Sequence, residues 1–300
     1  MEAFVPGIYP RSEALVQATR DLDRGRTTPD AVDRQVEDDL RELVRVQQEA
    51  GLDLLADGML GWQDLFRPLL EASEGLRPGA LTRFLDTNTF YRAPEADGVS
   101  PRLAAPLDER YVSPVPRPRL VTLPSPYALS LGTGVEPKAF AEGVLKRQID
   151  ALEADLVVLA EPFLGHSEDP DLDGLSAALE VLGGGTRLVL QCTFSDASTL
   201  LGRGLLELPV DGIGIDFYAT RLTHFPAEVG KFLLAGVVDA RSSVVEDARE
   251  IASFAAELQN RASELALAPT GDLQYVSEPI AREKIARLGQ AKTMSVEEAA

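Results

Sequence analysis

The strongest constraint in this chain is a set of short, largely apolar runs without regular polar alternation, each followed by an acid or the single cysteine. The runs 52–56, 156–160, 188–191, 210–215 and 233–238 end at Asp57, Glu161, Cys192, Asp216 and Asp239. Runs with no polar alternation belong to strands buried on both faces, which parallel sheets provide and which helical crossovers must connect. The intervening stretches have the required helical period. Val36, Leu40, Leu43 and Val44 form one stripe after Thr28-Pro29-Asp30, which reads as an N-cap with proline at the first helical position. Phe140, Val144, Leu145, Ile149 and Leu152 form a second stripe. A third, through Ala248, Ile251, Ala255 and Leu258, follows Ser243 and Glu246, spaced as a capping box. A helix over 175–182 stops at Gly183-Gly184-Gly185, and a last helix covers 279–288.

Further strands are expected at 4–9, 119–123 and 265–268, giving eight or nine in alternation with helices. The expected architecture is α/β, a (β/α)8 TIM barrel forming one domain over residues 1–300. A doubly wound sheet produces the same alternation and is the alternative. Residues 76–118 interrupt the pattern, being rich in Pro and Arg and without helical period. Too short and too polar for a core of its own, this stretch is read as an insertion carrying an extended hairpin over the barrel mouth.

In a barrel the carboxyl ends of all strands meet at one mouth, where reaction sites form. The acids and the single cysteine that end the runs, together with Asp272 in a glycine turn, are therefore the candidate site. Each has a structural alternative. Asp57-Gly58 suits a tight turn as well as a ligand contact, Glu161-Pro162 suits a loop cap, and Asp239 suits a pair with Arg241. A buried lone cysteine is commonly a small apolar filler. Trp62 and Arg11 stand near strand ends, where an indole can stack and a guanidinium can meet a carboxylate or phosphate. Asp86, Thr87, Asn88, Phe90 and Tyr91 of the insertion either close over a flat ligand or pack as a hairpin. His166 is placed in a loop near the mouth, and His224 carries a weaker signal still.

The formal net charge of −19 argues against nucleic acid and anionic membrane partners, since phosphates reward clustered Lys and Arg. No apolar run approaches the length of a membrane span, and no basic start precedes an apolar segment, so a cytoplasmic protein acting on a small molecule is expected. Phosphate-cradling glycine motifs and a nucleophile elbow are missing, so no nucleotide cofactor is expected.

Several segments in order resemble the catalytic barrel of cobalamin-independent methionine synthases, above all the short single-barrel form. They are Gly7-Ile8-Tyr9-Pro10-Arg11-Ser12, Asp57-Gly58 with Asp64-Leu65-Phe66, and Phe84-Leu85-Asp86-Thr87-Asn88-Thr89-Phe90-Tyr91-Arg92. Glu161-Pro162, Val237-Val238-Asp239-Ala240-Arg241-Ser242 and Ala268-Pro269-Thr270-Gly271-Asp272-Leu273 continue the series. The resemblance spans almost the whole chain. It implies methyl transfer to the sulfur of a homocysteine-like thiol, activated as a thiolate on zinc. It also implies a methyl donor, either a small cofactor or a carrier protein.

On that resemblance Cys192 and Asp216 would be metal ligands, Asp239 and Glu161 would serve catalysis, and Arg11, Asp57, Trp62 and Asn88 would bind substrate. The chain departs from the family pattern at several of these positions. Leu190-Gln191-Cys192 stands where a His-x-Cys pair is expected, Asp216 replaces a glutamate, and the late cysteine falls on Gly271 or Asp272. Met59 and Ala160 replace two acids that would hold the substrate ammonium. Two readings follow: a methyltransferase with a partly lost zinc site, or a metal-free barrel that binds or transforms another small molecule, with a non-catalytic paralogue as a variant.

Overall fold

A computed structural model describes residues 1–262 and 264–294. Seven strands form one parallel sheet: β1 (Glu2–Ala3), β2 (Leu120–Pro124), β3 (Leu156–Glu161), β4 (Arg187–Cys192), β5 (Gly212–Asp216), β6 (Phe232–Val238) and β7 (Leu265–Pro269). Their order is β1-β7-β6-β5-β4-β3-β2, so sequence neighbours from β2 onward are also spatial neighbours. The run 52–56, expected as a strand, is instead a single parallel bridge at Leu55 to Arg119. It nevertheless joins the two sheet edges. Asp53 N–H donates to Ala3 O, Leu55 N–H to Pro118 O, and Leu120 N–H to Leu55 O. The architecture is mixed α/β with a curled, barrel-like sheet of seven regular strands.

Burial explains the unbroken apolar runs. Alternate residues of one set, including Phe4, Leu54, Leu156, Val158, Leu234 and Ala266, pack together as one cluster. Their neighbours Val157, Leu159, Leu233, Ala235 and Leu267 join a second, larger cluster with the helices. Both faces of each strand are thus apolar, each fully buried Leu or Val contributing roughly 1.5–3 kcal/mol.

The helices follow the expected stripes with instructive differences. The first long helix spans Pro29–Glu49, and Thr28 precedes it without a side-chain cap. The Phe140 stripe is not one regular helix. A π-turn at Ala141–Leu145 joins Pro137–Phe140 to Lys146–Asp150. Gly143 lies in that turn, where a Cβ would sit 1.9 Å from Pro101 O, so the bulge accommodates the insertion's backbone. The first strand is shorter and earlier than 4–9. Gly7 at φ +85 breaks extended pairing there, and a Cβ on it would sit 2.1 Å from Asp272 Oδ1.

The Ser243–Glu246 capping box does not form. The helix starts at Ala248, and Asp247 caps it by accepting from Arg249 N–H. Glu246 is drawn away by the fully buried Lys284, whose Nζ lies 3.0 and 2.9 Å from its two carboxylate oxygens. Lys284 belongs to the last helix, Glu278–Thr293, longer than the expected 279–288. The insertion does carry a hairpin, Leu76–Arg83 paired with Phe90–Ala96, and a short pair of Ser73–Glu74 with Arg102–Leu103.

Because the Lys284–Glu246 pair is almost wholly out of water, removing one partner strands the other. Lys284→Ala should lower unfolding free energy by about 3–5 kcal/mol in urea titrations, whereas Arg77→Ala, which loses an exposed pair with Glu95, should cost about 1 kcal/mol or less. Equal losses would show that the buried pair has no special weight.

Candidate functional site

The strand-end acids do sit at the carboxyl ends of the sheet, but most of their oxygens are turned on the backbone. A chain leaving a strand has turn N–H groups with no ladder partner, and a buried carboxylate can take two of them. Asp57 accepts from Met59 N–H at 2.9 Å and, across the insertion, from Ser113 N–H at 2.9 Å. Glu161 accepts from Phe163 and Leu164 N–H at 2.8 Å each, and from the Ser125 hydroxyl. Asp216 Oδ1 accepts from Tyr218 N–H at 2.9 Å and Ala219 N–H at 3.1 Å. Asp239 accepts from Arg241 N–H at 2.9 Å. Asp272 accepts from Ile8 N–H at 3.1 Å and the Gln274 amide at 3.1 Å. Burial pushes Asp57, Asp216 and Asp272 up to about 6, the N–H bonds pulling back only in part. Burial raises Glu161 as well.

The residues that the resemblance implies for zinc do not fit a zinc centre. Among the described residues no group of three His, Cys, Asp or Glu side chains is placed to hold a metal ion. Cys192 is 1% exposed, and burial, with the Glu161 charge beside it, pushes its thiol well above the ordinary range, against the thiolate a metal needs. Gln191, in the place of the family histidine's neighbour, donates its amide to Pro269 O at 3.1 Å. At Gly271 a Cβ would fall 2.4 Å from Phe194 Cζ. The Phe194 ring therefore occupies the space that a side chain at 271 would need.

Phe194 was not singled out from sequence, and it organises this end of the molecule. Its backbone is left-handed at φ +60, an uncommon conformation for a bulky residue. Its ring meets Tyr275 edge-on with centroids 5.4 Å apart and Phe84 at 6.3 Å, and the Arg241 guanidinium lies 5.0 Å above it. Phe84, from the hairpin, also meets Phe163 at 5.8 Å. Arg241 does not pair with Asp239. It reaches Asp86 at the hairpin tip, 3.1 Å away. The hairpin is thus fastened over the mouth by an aromatic cluster and one ion pair.

What stays open is a string of cavities sharing Gln274. A cleft of about 630 Å³ is lined by Tyr9, Arg11, Ser12, Trp62, Gln274 and Ser277, with the carboxylates Glu13 and Glu278 also on its wall. A cleft of about 510 Å³ lies under the hairpin tip between Asn88, Asp239 and Arg241. A constriction of about 20 Å³ at Asp272 and Tyr275 stands between them. Arg11 is half-buried, and its hydrogen bond among the described residues goes to Trp62 O. Trp62 itself is buried, with its indole N–H donating to Tyr111 O at 2.7 Å. Asn88 is exposed. Arg11 and Trp62 share one cleft, Asn88 and Asp239 the other, while Asp57, Glu161 and Cys192 line neither. His166 is exposed, and His224 meets Ser198 Oγ at 3.1 Å on the surface. Gln274 and Tyr275 carried no sequence signal beyond following Asp272.

The raised acids make stability depend on pH. Their native pKa exceeds the ordinary value of 3.8, so their contribution is complete below about pH 4 and is lost as pH climbs through about 6. Asp216→Asn keeps the oxygen that accepts from Tyr218 and Ala219 but removes the desolvated charge. In urea titrations it should match the parent near pH 4 and exceed it by on the order of 2 kcal/mol near pH 8. A variant less stable than the parent near pH 8 would show that the charge itself is needed.

No family model and no protein of curated function matches the sequence. Solved structures do. A B12-independent methionine synthase from Shewanella sp. W3-18-1, described in complex with selenomethionine, superposes with a TM-score of 0.70 at 18% identity, covering 89% of each chain. A protein from Listeria monocytogenes described as a vitamin-B12-independent methionine synthase superposes with a TM-score of 0.69 at 14% identity, covering 98% of this chain and 99% of that one. The chain has the fold of cobalamin-independent methionine synthase structures.

Proposed function

We propose that this protein binds a small organic anion at the barrel mouth and works without a zinc–thiolate centre. The observation that carries this reading is Arg11, set in the larger cleft with one carbonyl partner. A guanidinium has five N–H donors in a planar fork that matches a carboxylate or phosphate, and partial desolvation strengthens such a bond. Burial lowers the Arg11 pKa and the Asp39 charge opposes that shift; a guanidinium remains a cation in proteins. At about 630 Å³ the cleft falls within the size range of small-molecule sites. Trp62 and Tyr9 supply apolar wall, and Gln274 connects the cleft to the space under the hairpin, where Asn88 and Asp239 offer further polar contacts.

The fold likeness favours a second reading, methyl transfer to a thiol acceptor. It would have to activate the thiol by a route other than Cys192, whose sulfur is buried and whose proton is held firmly.

Two measurements test the proposal together. Elemental mass spectrometry on protein purified without chelator, before and after zinc supplementation, should find far less than one zinc per chain. Calorimetric titration with small mono- and dicarboxylic acids, homocysteine among them, should find a ligand whose affinity falls roughly tenfold or more in Arg11→Gln, the cost of about 1.5–3 kcal/mol for a charge-assisted bond. One tightly held zinc lost in Cys192→Ala, with zinc-dependent methylation of homocysteine, would overturn the proposal.

A further inference from the structure

A separate cavity of about 200 Å³ opens beside the end of β5 and shares no lining residue with the mouth clefts. Its walls are Phe217, Tyr218 and Phe254, its floor Val237 and Ile251. Phe217 and Phe254 meet edge to face, centroids 5.4 Å apart at 69°, and Phe225 braces Phe217 from another side at 5.2 Å. Aromatic residues this close but partly uncovered offer π-faces to whatever enters. Tyr218 is 56% exposed, so its ring is reachable from solvent at the cavity rim.

The charge around the cavity has a definite sign. Glu246 and Glu250 line it. Glu246 is already matched by Lys284, and its Oε1 also accepts from the Tyr218 hydroxyl at 3.2 Å and from Asp239 N–H at 2.8 Å. The hydroxyl bond ties only the edge of the Tyr218 ring to the cavity rim. Glu250, exposed on the first turn of the helix Ala248–Gln259, has no ion pair among the described residues. The cavity therefore presents three rings and one uncompensated carboxylate, with few free hydrogen-bonding atoms. A primary ammonium could bond Glu250 with only some of its N–H donors and would give up hydration of the rest against the rings. An alkylated nitrogen has no such donors and is attracted both by the ring quadrupoles and by Glu250.

We propose that this aromatic cavity is a binding site for a quaternary or trialkylated ammonium group, held between Tyr218, Phe217 and Phe254 with Glu250 at its rim. The volume admits one such group with a short tail and nothing much larger.

The probes are tetramethylammonium, choline and 3,3-dimethylbutan-1-ol, the neutral isostere of choline, titrated by NMR against the whole chain. Both cations should bind saturably, and the neutral isostere about fivefold or more weaker, as expected for a cation–π contribution. Tyr218→Phe, which keeps the ring, should stay within about twofold of the parent, while Tyr218→Leu should lose about fivefold. Glu250→Gln should weaken binding and flatten its dependence on salt. Arg11→Gln should leave cation binding unchanged, which separates this site from the mouth cleft. No saturable binding, equal affinity for choline and its isostere, or an unchanged Tyr218→Leu would each overturn the proposal.

Discussion

The arrangement on which the rest depends is the buried carboxylate that folds back onto its own turn. At the ends of β3 and β5, and at Asp57, the chain must leave the sheet and reverse direction in a water-poor place, while Asp272 holds the distant Ile8 N–H instead of its own turn. Turn N–H groups there would otherwise be orphaned, at a cost comparable to a lost hydrogen bond each. A short acid at the strand end supplies two acceptor oxygens within reach. Asp57 shows how far this extends: one oxygen holds Met59, and the other holds Ser113 in the returning limb of the insertion. The mouth is therefore shaped by acids, and the same bonds limit how many of their oxygens face a ligand.

This explains which parts were legible in the sequence. Strands β3, β4, β6 and β7 were readable almost to the residue, because two apolar faces leave an unbroken run bounded by turn chemistry. The hairpin was readable because its composition changes. The run 52–56 was readable as buried extended chain but not as a bare bridge, since a strand's hydrogen bonds leave no mark on hydrophobicity. The Ser243–Glu246 pair had the right spacing for a cap and failed for a reason 38 residues away: Lys284 offers a whole charge where the helix start offers one N–H. Local pattern loses to a buried ion pair. At the site, the acids were correctly placed at the strand ends, but sequence could not say whether each faces the cavity or its own loop. That depends on torsions of one or two residues.

Arg241 illustrates the same point with the opposite sign. Its spacing from Asp239 suggests an ion pair, yet the Asp239 carboxylate takes the Arg241 backbone N–H, which leaves the guanidinium free to swing over Phe194 and reach Asp86. An exposed pair of this kind adds little stability. Its consequence is positional: it ties the hairpin tip to the loop after β6, and so sets the roof of the smaller cleft.

The relation between Phe194 and Gly271 bears most on chemistry. The family resemblance puts a late cysteine at Gly271 or Asp272, and at Gly271 the ring of Phe194 stands 2.4 Å from where a Cβ would be. The two features exclude one another: any side chain at 271 must expel the ring, and the ring in turn is held by Tyr275, Phe84 and Arg241. A left-handed phenylalanine carries a backbone cost of about 1–3 kcal/mol, and such a residue persists only where its surroundings over-determine it. The ring therefore does two things at once: it fills the space beside Gly271, and through Phe84 and the Arg241–Asp86 pair it locks the hairpin onto this end of the sheet.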